Sequence, residues 1–318
     1  MRSRRRDRKL GRAPGEPLAE ALRRVGVGQV DIAIELLGAD HQTSAAHVVH
    51  ETRKAIKRIR ALLRLLERQL GREEHARNSD ALRELAGRLS GARDADAMLA
   101  TLDSLIAEHP QALGRREGVR QLRARLLDEK VYREQLAVGG PAARSAALAE
   151  LAALRERFAA WRLPERPGIA LVERDLKKLY GEGRQRHQRA LRGKGDQLRA
   201  MHKWRKRVKD LRYAAEMLRR RDSRKHQRSE ERLRNLAGRA DALGELLGAE
   251  HDLAMLAERL RAGREADRQD TWHTGRTTRR ALLEAISKRR RALRKRALRD
   301  GARLYRRSPE RLIEQLRC

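Results

Sequence analysis

Hydrophobic positions recur every three or four residues along almost the whole chain from Glu16 onward, which is the spacing of amphipathic helices. The pattern predicts a first helix from Pro17 to Leu37, ended near Gly38, a long one from His41 to Leu70, closed at Gly71, and a third from Glu73 to Leu89, stopped at Gly91. Asp94 opens a helix to about Glu108 with Pro110 as its stop, and Gly118–Val138 and Ala142–Trp161 follow, separated by Gly139-Gly140-Pro141. The sharpest interruption is Leu163-Pro-Glu-Arg-Pro-Gly168, with two prolines and a glycine in six residues. Beyond it the pattern predicts helices over Ile169–Arg192 and, after a Gly193-Lys-Gly195 turn, Asp196–Arg221. A helix capped by Asp222 or Ser223 reaches about Leu247, then come Asp252–Arg261, Thr278–Leu304 and a short last helix capped by Ser308-Pro309. No stretch alternates with period two for long enough to argue a strand, so the expected fold is all-α.

Composition agrees with helix. Only 3% of the 318 residues are aromatic against 40% hydrophobic overall, so the core must come from Leu, Ala, Ile and Val. Charge narrows the partners. Lys and Arg number 77 against 44 Asp and Glu, a formal net charge of +33. A compact body this cationic repels itself, and its natural counterpart is a polyanion: nucleic acid, an anionic membrane surface, acidic protein or an inorganic polymer such as polyphosphate. The one cysteine, Cys318, excludes a disulfide scaffold and a cysteine zinc site and argues against a cysteine nucleophile. No apolar run approaches the roughly 18 residues of a membrane span. Residues 1–12 carry seven basic side chains and Asp7 as their one acid, with no apolar segment after them. They read as a flexible basic tail over residues 1–15 rather than a secretory signal, and a cytoplasmic location is the expectation.

The chain repeats itself. His50-Glu-Thr-Arg53-Lys54-Ala-Ile-Lys57-Arg58-Ile-Arg60 is matched 152 residues later by His202-Lys-Trp-Arg205-Lys206-Arg-Val-Lys209-Asp-Leu-Arg212. A second element follows each: Leu89-Ser-Gly-Ala-Arg93-Asp94, then Leu247-Gly-Ala-Glu-His251-Asp252, 158 residues apart. Two paired elements in the same order point to duplication of a helical unit, with halves over residues 16–163 and 169–318 joined by a linker at 164–168.

Within the first motif, Arg53, Lys54, Lys57, Arg60 and Arg64 fall within about 80° of His50 on a helical wheel, while Ile56, Ile59, Leu62, Leu63 and Leu66 fall opposite. In the second, Arg205, Lys206, Lys209 and Arg212 surround His202, Tyr213 shares their side with a hydroxyl able to donate to an anion, and Trp204, Val208, Leu211 and Leu218 face away. A charged helix face is ordinarily a solvated surface in which Glu and Lys alternate. Here Glu51 and Asp210 are the motifs' only acids, and neither falls in the stripe. The uncompensated stripe, occurring twice, predicts an anion site. Each histidine, set among cations, should be held neutral when the site is empty and gain charge when an anion binds. Asp94 and Asp252 read first as N-caps, with orientation of a stripe cation as the other reading; two isolated aspartates do not make a metal site.

The two His-x-x-Arg-Lys-x-x-Lys helices and their Asp-ending partners resemble the CHAD domain, the conserved histidine α-helical domain, over about residues 15–318. Tyr180-Gly-Glu-Gly-Arg184, before the second motif, fits as well. The resemblance implies two pseudo-symmetric four-helix bundles around a basic groove or pore, binding of inorganic polyphosphate and association with polyphosphate granules. It implies as contacts His50, Arg53, Lys54, Lys57, Arg60 and Arg64, then His202, Arg205, Lys206, Lys209 and Arg212, with Tyr180 and Arg184 beside them. Ser90 stands where the second copy has Gly248. The Glu-x-Glu-x-Lys motif of triphosphatases fused to some family members does not occur.

The expected function is therefore non-catalytic polyphosphate binding, with no metal or cofactor and no insertion in a membrane. A nucleic-acid-binding or nucleoid-associated protein is the alternative, with nucleic acid otherwise a weaker polyanion ligand. Against it stand the lack of an aromatic stacking platform and of a helix-turn-helix signature. A polyphosphate-cleaving enzyme would want a carboxylate cluster that the sequence lacks, and a binder of membrane surfaces is the remaining class.

Overall fold

The structure, a computed structural model, describes residues 10–39, 45–88, 90–138, 141–193, 196–220, 227–262 and 275–317. Helices α1 (Leu18–Gly38) and α2 (Ala45–Leu65) pair, α3 (Arg72–Arg88), α4 (Ser90–Glu108) and α5 (Glu117–Val138) follow, and α6 (Pro141–Ala159) returns against α1. After the proline break come α7 (Glu173–Arg192), α8 (Gln197–Leu218), α9 (Gln227–Ala262), α10 (Arg276–Leu304) and α11 (Pro309–Arg317). Among the described residues there is no strand, only an isolated bridge between Arg12 and Arg220. The fold is all-α, as the patterning requires.

Several expected boundaries differ. The long second helix ends at Leu65, where Leu66 leaves helical geometry, and a single turn, Glu67–Leu70, follows before Gly71 at φ 79°. The predicted stop after Leu247 does not exist: α9 runs unbroken for 36 residues, so Asp252 lies in its interior and caps nothing. Gly244 and Gly248, inside this helix, serve close approach. A Cβ on Gly248 would meet the Arg205 guanidinium at 3.4 Å, and one on Gly244 would lie 3.8 Å from Lys209, so α9 comes in close against α8. Asp94 likewise lies inside α4, which starts at Ser90; its side chain is outside the described residues, as are Asp222, Ser223 and the Lys194-Gly195 turn. The Ser308 cap is as expected, its Oγ accepting from the Arg311 amide at 3.2 Å, and Asp196 caps α8, accepting from the Arg199 amide at 2.9 Å.

Helix α8 is the centre of the molecule, packing on α2, α7 and α9. Its apolar face, led by the fully buried Trp204, Val208 and Leu211, contributes about 1.5–3 kcal/mol per large side chain. Gly301 of α10 sits against this face, where a Cβ would fall 2.5 Å from the Trp204 ring and 2.7 Å from His187. The buried residues form two clusters, and each takes side chains from both sides of the 164–168 segment: one runs from Leu18 through Leu316, the other joins α4 and α5 to the end of α9 and the start of α10. Part of the segment assigned to a flexible tail packs on the body. Arg12 and Ala13 are buried, and the Ala13 amide donates to Glu16 at 2.7 Å, while Glu16 also pairs with Arg24 at 2.6 Å. Residues 1–9 lie outside the described residues.

Candidate anion-binding site

The apolar faces of α2 and α8 point into the core, so their basic faces are left to meet each other. They enclose a cavity of about 390 Å³. Helix α2 supplies Arg53, Lys57, Arg60 and Arg64; α8 supplies His202, Arg205, Lys206, Arg207, Lys209, Asp210 and Tyr213. Helix α4 closes one side with Ala97 and Met98, and α9 another with His251, Asp252 and Met255. Eight cations thus face two carboxylates. A neighbouring cavity of about 370 Å³ shares Ala97, Arg205, Lys209 and Asp252 with the first and adds His50, Asp96, Ser104 and Arg289.

Both carboxylates are engaged by arginine. Asp210 Oδ2 lies 3.3 Å from Arg64 of α2 and 3.3 Å from Arg207 of its own helix. Burial pushes its acid up while Arg207, Arg64 and Arg60 oppose that. Asp252 Oδ1 is 3.9 Å from Arg205, so in place of the cap expected there its geometry is that of an orienting group. The rings of His202 and His251 stand 4.8 Å apart, and the Nδ1 atom of each is buried without a hydrogen-bond partner among the described residues. His202 is pushed down to about 4 by burial, then by Lys206, His251 and Arg205. His251 is pushed down to about 4 by burial and Arg205, with Glu250 opposing. Burial and then Arg60 and Arg207 also lower Lys206. Both histidines are therefore neutral near pH 7, in a chamber crowded with positive charge.

Of the residues singled out from sequence, Arg53, Lys57, Arg60, Arg64, His202, Arg205, Lys206, Lys209 and Tyr213 share the central cavity. The Tyr213 ring is buried, with the Arg58 and Arg212 guanidiniums 6.0 and 5.4 Å from its centroid. His50 faces the adjoining cavity. Lys54 does not reach either: it bonds Glu51 at 3.2 Å, and Glu51 also stands 3.7 Å from His50. Arg212 turns away, paired with Glu216 at 2.9 Å and with Asp241. Tyr180 is buried, its hydroxyl donating to the Leu304 carbonyl at 2.9 Å, and it lines a separate cleft with Arg232 and Arg307. Arg184 is half-buried and lines neither cavity.

The sequence reading omitted Arg207, Asp210 and His251 from the site. His251 was signalled by the second repeated element, which brings it beside His202. Asp210 falls at the edge of the wheel, about 80° from His202, and the packing of α2 brings that edge indoors. Arg207 has Ala55 as its counterpart in the first copy, so repetition gave no hint. Its long stem carries the guanidinium around the helix to Glu182 at 3.2 Å and to Asp210.

The CHAD domain family model matches residues 35–261, a span that contains both repeated helices and the whole lining of the central cavity. The chain belongs to the CHAD domain family. Among solved structures it resembles the CHAD domain from the plant Ricinus communis, with a TM-score of 0.61, 19% identity, and coverage of 98% of this chain and 95% of that one. It also resembles PptA from Streptomyces chartreusis, with a TM-score of 0.59, 17% identity, and coverage of 92% and 100%. At these identities the likeness is one of fold. A comparison with curated protein sequences finds no match. No helix among the described residues is long and apolar enough to cross a membrane.

Proposed function

We propose that this protein binds inorganic polyphosphate in the cavity between α2 and α8, without cleaving it, and that it associates with polyphosphate granules. Membership of the CHAD family fits an association with polyphosphate in general. The observation that carries the finer reading is the convergence of eight cations, four from each of two helices, with both nearby carboxylates already held by arginine. Polyphosphate has dense, flexible, sequence-free charge. Arginine forks and lysine point charges on rigid helices suffice for it, and no stacking surface for bases is needed. Duplication explains why the charge is placed: two copies of one basic helix, set face to face, make a chamber that neither makes alone. The pairing of two pseudo-symmetric bundles, implied by the family resemblance, belongs to the same proposal. So does the absence of catalysis: the two carboxylates of the central cavity, Asp210 and Asp252, are each engaged by an arginine.

The test is a binding titration across polyphosphate chain lengths with duplex DNA of equal charge as competitor. Polyphosphate should bind with a steep loss of affinity as salt rises and resist the DNA. Displacement of polyphosphate by DNA at matched charge would favour a nucleic-acid ligand, and release of phosphate on adding Mg²⁺ or Mn²⁺ would make the protein an enzyme.

A further inference from the structure

Helix α9 presents a second basic surface on the side facing away from the central cavity. Arg239 lies about 140–160° around the helix from Asp252 and Met255, and Arg232 falls on its stripe, seven residues earlier. The ends of α10 and α11 close against this stripe. Two clefts meet there at Arg239, one of about 140 Å³ and one of about 440 Å³. Their cations, Arg232, Arg239, Arg303, Arg306 and Arg307, are all arginine, and Asp300 is the one acid in the lining. Asp300 is engaged with Arg303 at 3.7 Å, as well as with Arg296 and Arg299. Arg239, Arg306 and Arg307 have no carboxylate in ion-pair reach among the described residues.

We propose that this cleft is a second oligophosphate-binding site, so that one molecule holds a polyphosphate chain at two places on opposite sides of α9. The proposal rests on the reading of the central cavity as a polyphosphate site. Two features separate the cleft from ordinary exposed arginines. The smaller cleft has an apolar lining of Tyr180, Leu236, Leu312 and Leu316, and that low-dielectric wall strengthens the guanidinium–phosphate pairs of Arg232, Arg239 and Arg307. Its first guanidinium is held in place, since Arg232 Nη1 donates to the Gln315 carbonyl. Each planar guanidinium fork can donate two parallel N–H bonds to one phosphate unit. A long chain could then occupy both sites of one molecule or join two molecules.

The experiment is calorimetric titration of the full chain with tripolyphosphate at about 0.15 M salt, where unplaced surface charge is largely screened. Wild type should take up two equivalents, R239E/R306E/R307E one, the cavity variant K57E/K209E one, and the charge-matched surface variant R276E/K288E/R291E two. Two equivalents in R239E/R306E/R307E would overturn the second site and leave the central one standing. Loss of the second equivalent in the surface variant as well would overturn it by assigning that equivalent to general charge. Two equivalents in K57E/K209E would instead refute the central reading. Polyglutamate of matched charge that displaces the second equivalent better than phosphate would make the occupant an acidic protein and contradict the proposal. Circular dichroism of each variant controls for folding, and R239Q/R306Q/R307Q replaces any reversal variant that loses helix.

Discussion

Arg64 of α2 and Asp210 of α8 meet at 3.3 Å across the seam between the two basic helices. Asp210 serves as an internal counter-ion, since it also holds Arg207 at 3.3 Å and lies where like charges from both helices would otherwise face each other unrelieved. Asp210→Asn should therefore act in two opposite directions. Stability should fall by about 1.5–3 kcal/mol, the scale of a charged hydrogen bond removed from a largely buried site, read as a lower midpoint in urea. Affinity for polyphosphate should rise, because a negative charge has left the cavity. A variant that loses affinity together with stability would show that Asp210 organises the site rather than opposing the ligand.

Lys54 and Lys206 occupy matching positions of the repeat and have different surroundings. Lys206 lines the cavity, whereas Lys54 bonds Glu51 outside it. Lys206→Glu should weaken polyphosphate binding at least about tenfold, on the order of 1.4 kcal/mol, and Lys54→Glu should leave it within about twofold. Equal losses at fixed ionic strength would mean that net charge, not placement, governs binding.

His202 and His251 make both stability and affinity depend on pH, with opposite signs. Each is held down to about 4 in the empty fold against an ordinary value of 6.5. Between those limits the unfolded chain binds more protons than the folded one, so acidification from about pH 6.5 to about pH 4 destabilises the empty protein. A bound polyanion favours the protonated rings, so over the same window its binding takes up protons and tightens as pH falls. Calorimetry in buffers of different ionisation enthalpy reads that uptake directly. It should shrink in H202Q/H251Q; an identical uptake in the variant would assign the protons to the ligand's own terminal groups.

Gly301 tests the placement of α8. A methyl group there would overlap the Trp204 and His187 rings, both of which are buried. Gly301→Ala should cost about 1–3 kcal/mol by overpacking, measured by urea unfolding. An unchanged midpoint would mean that α10 does not press on Trp204 as described.

Periodicity alone located almost every helix, because amphipathic spacing and glycine and proline punctuation act locally. It failed at Gly248, where a glycine that looks like a turn is a contact: only the neighbouring Arg205 of α8 explains it. The site followed the same division. Spacing identified the basic face of each repeated helix, but not which edge of that face turns inward. In the first copy the edge carrying Arg53, Arg60 and Arg64 lines the cavity and Lys54 does not; in the second Arg205 from one edge and Lys206, Asp210 and Tyr213 from the other all line it, and Arg212 pairs with acids outside. That choice depends on how α2 and α8 roll against one another, which is set by long-range packing on α4 and α9 and leaves no trace in either motif. The buried acids were the least legible, since a carboxylate's role depends on which arginines the fold brings to it.

The central claim is that polyphosphate occupies the chamber between α2 and α8. The most direct measurement is titration of labelled long-chain polyphosphate into wild type, K57E/K206E/K209E and the charge-matched surface variant R276E/K288E/R291E, with folding checked by circular dichroism. Loss of high-affinity binding in the cavity variant, with binding by the surface variant near wild type, is the result expected. Equal binding by the cavity variant and the surface variant would contradict the account.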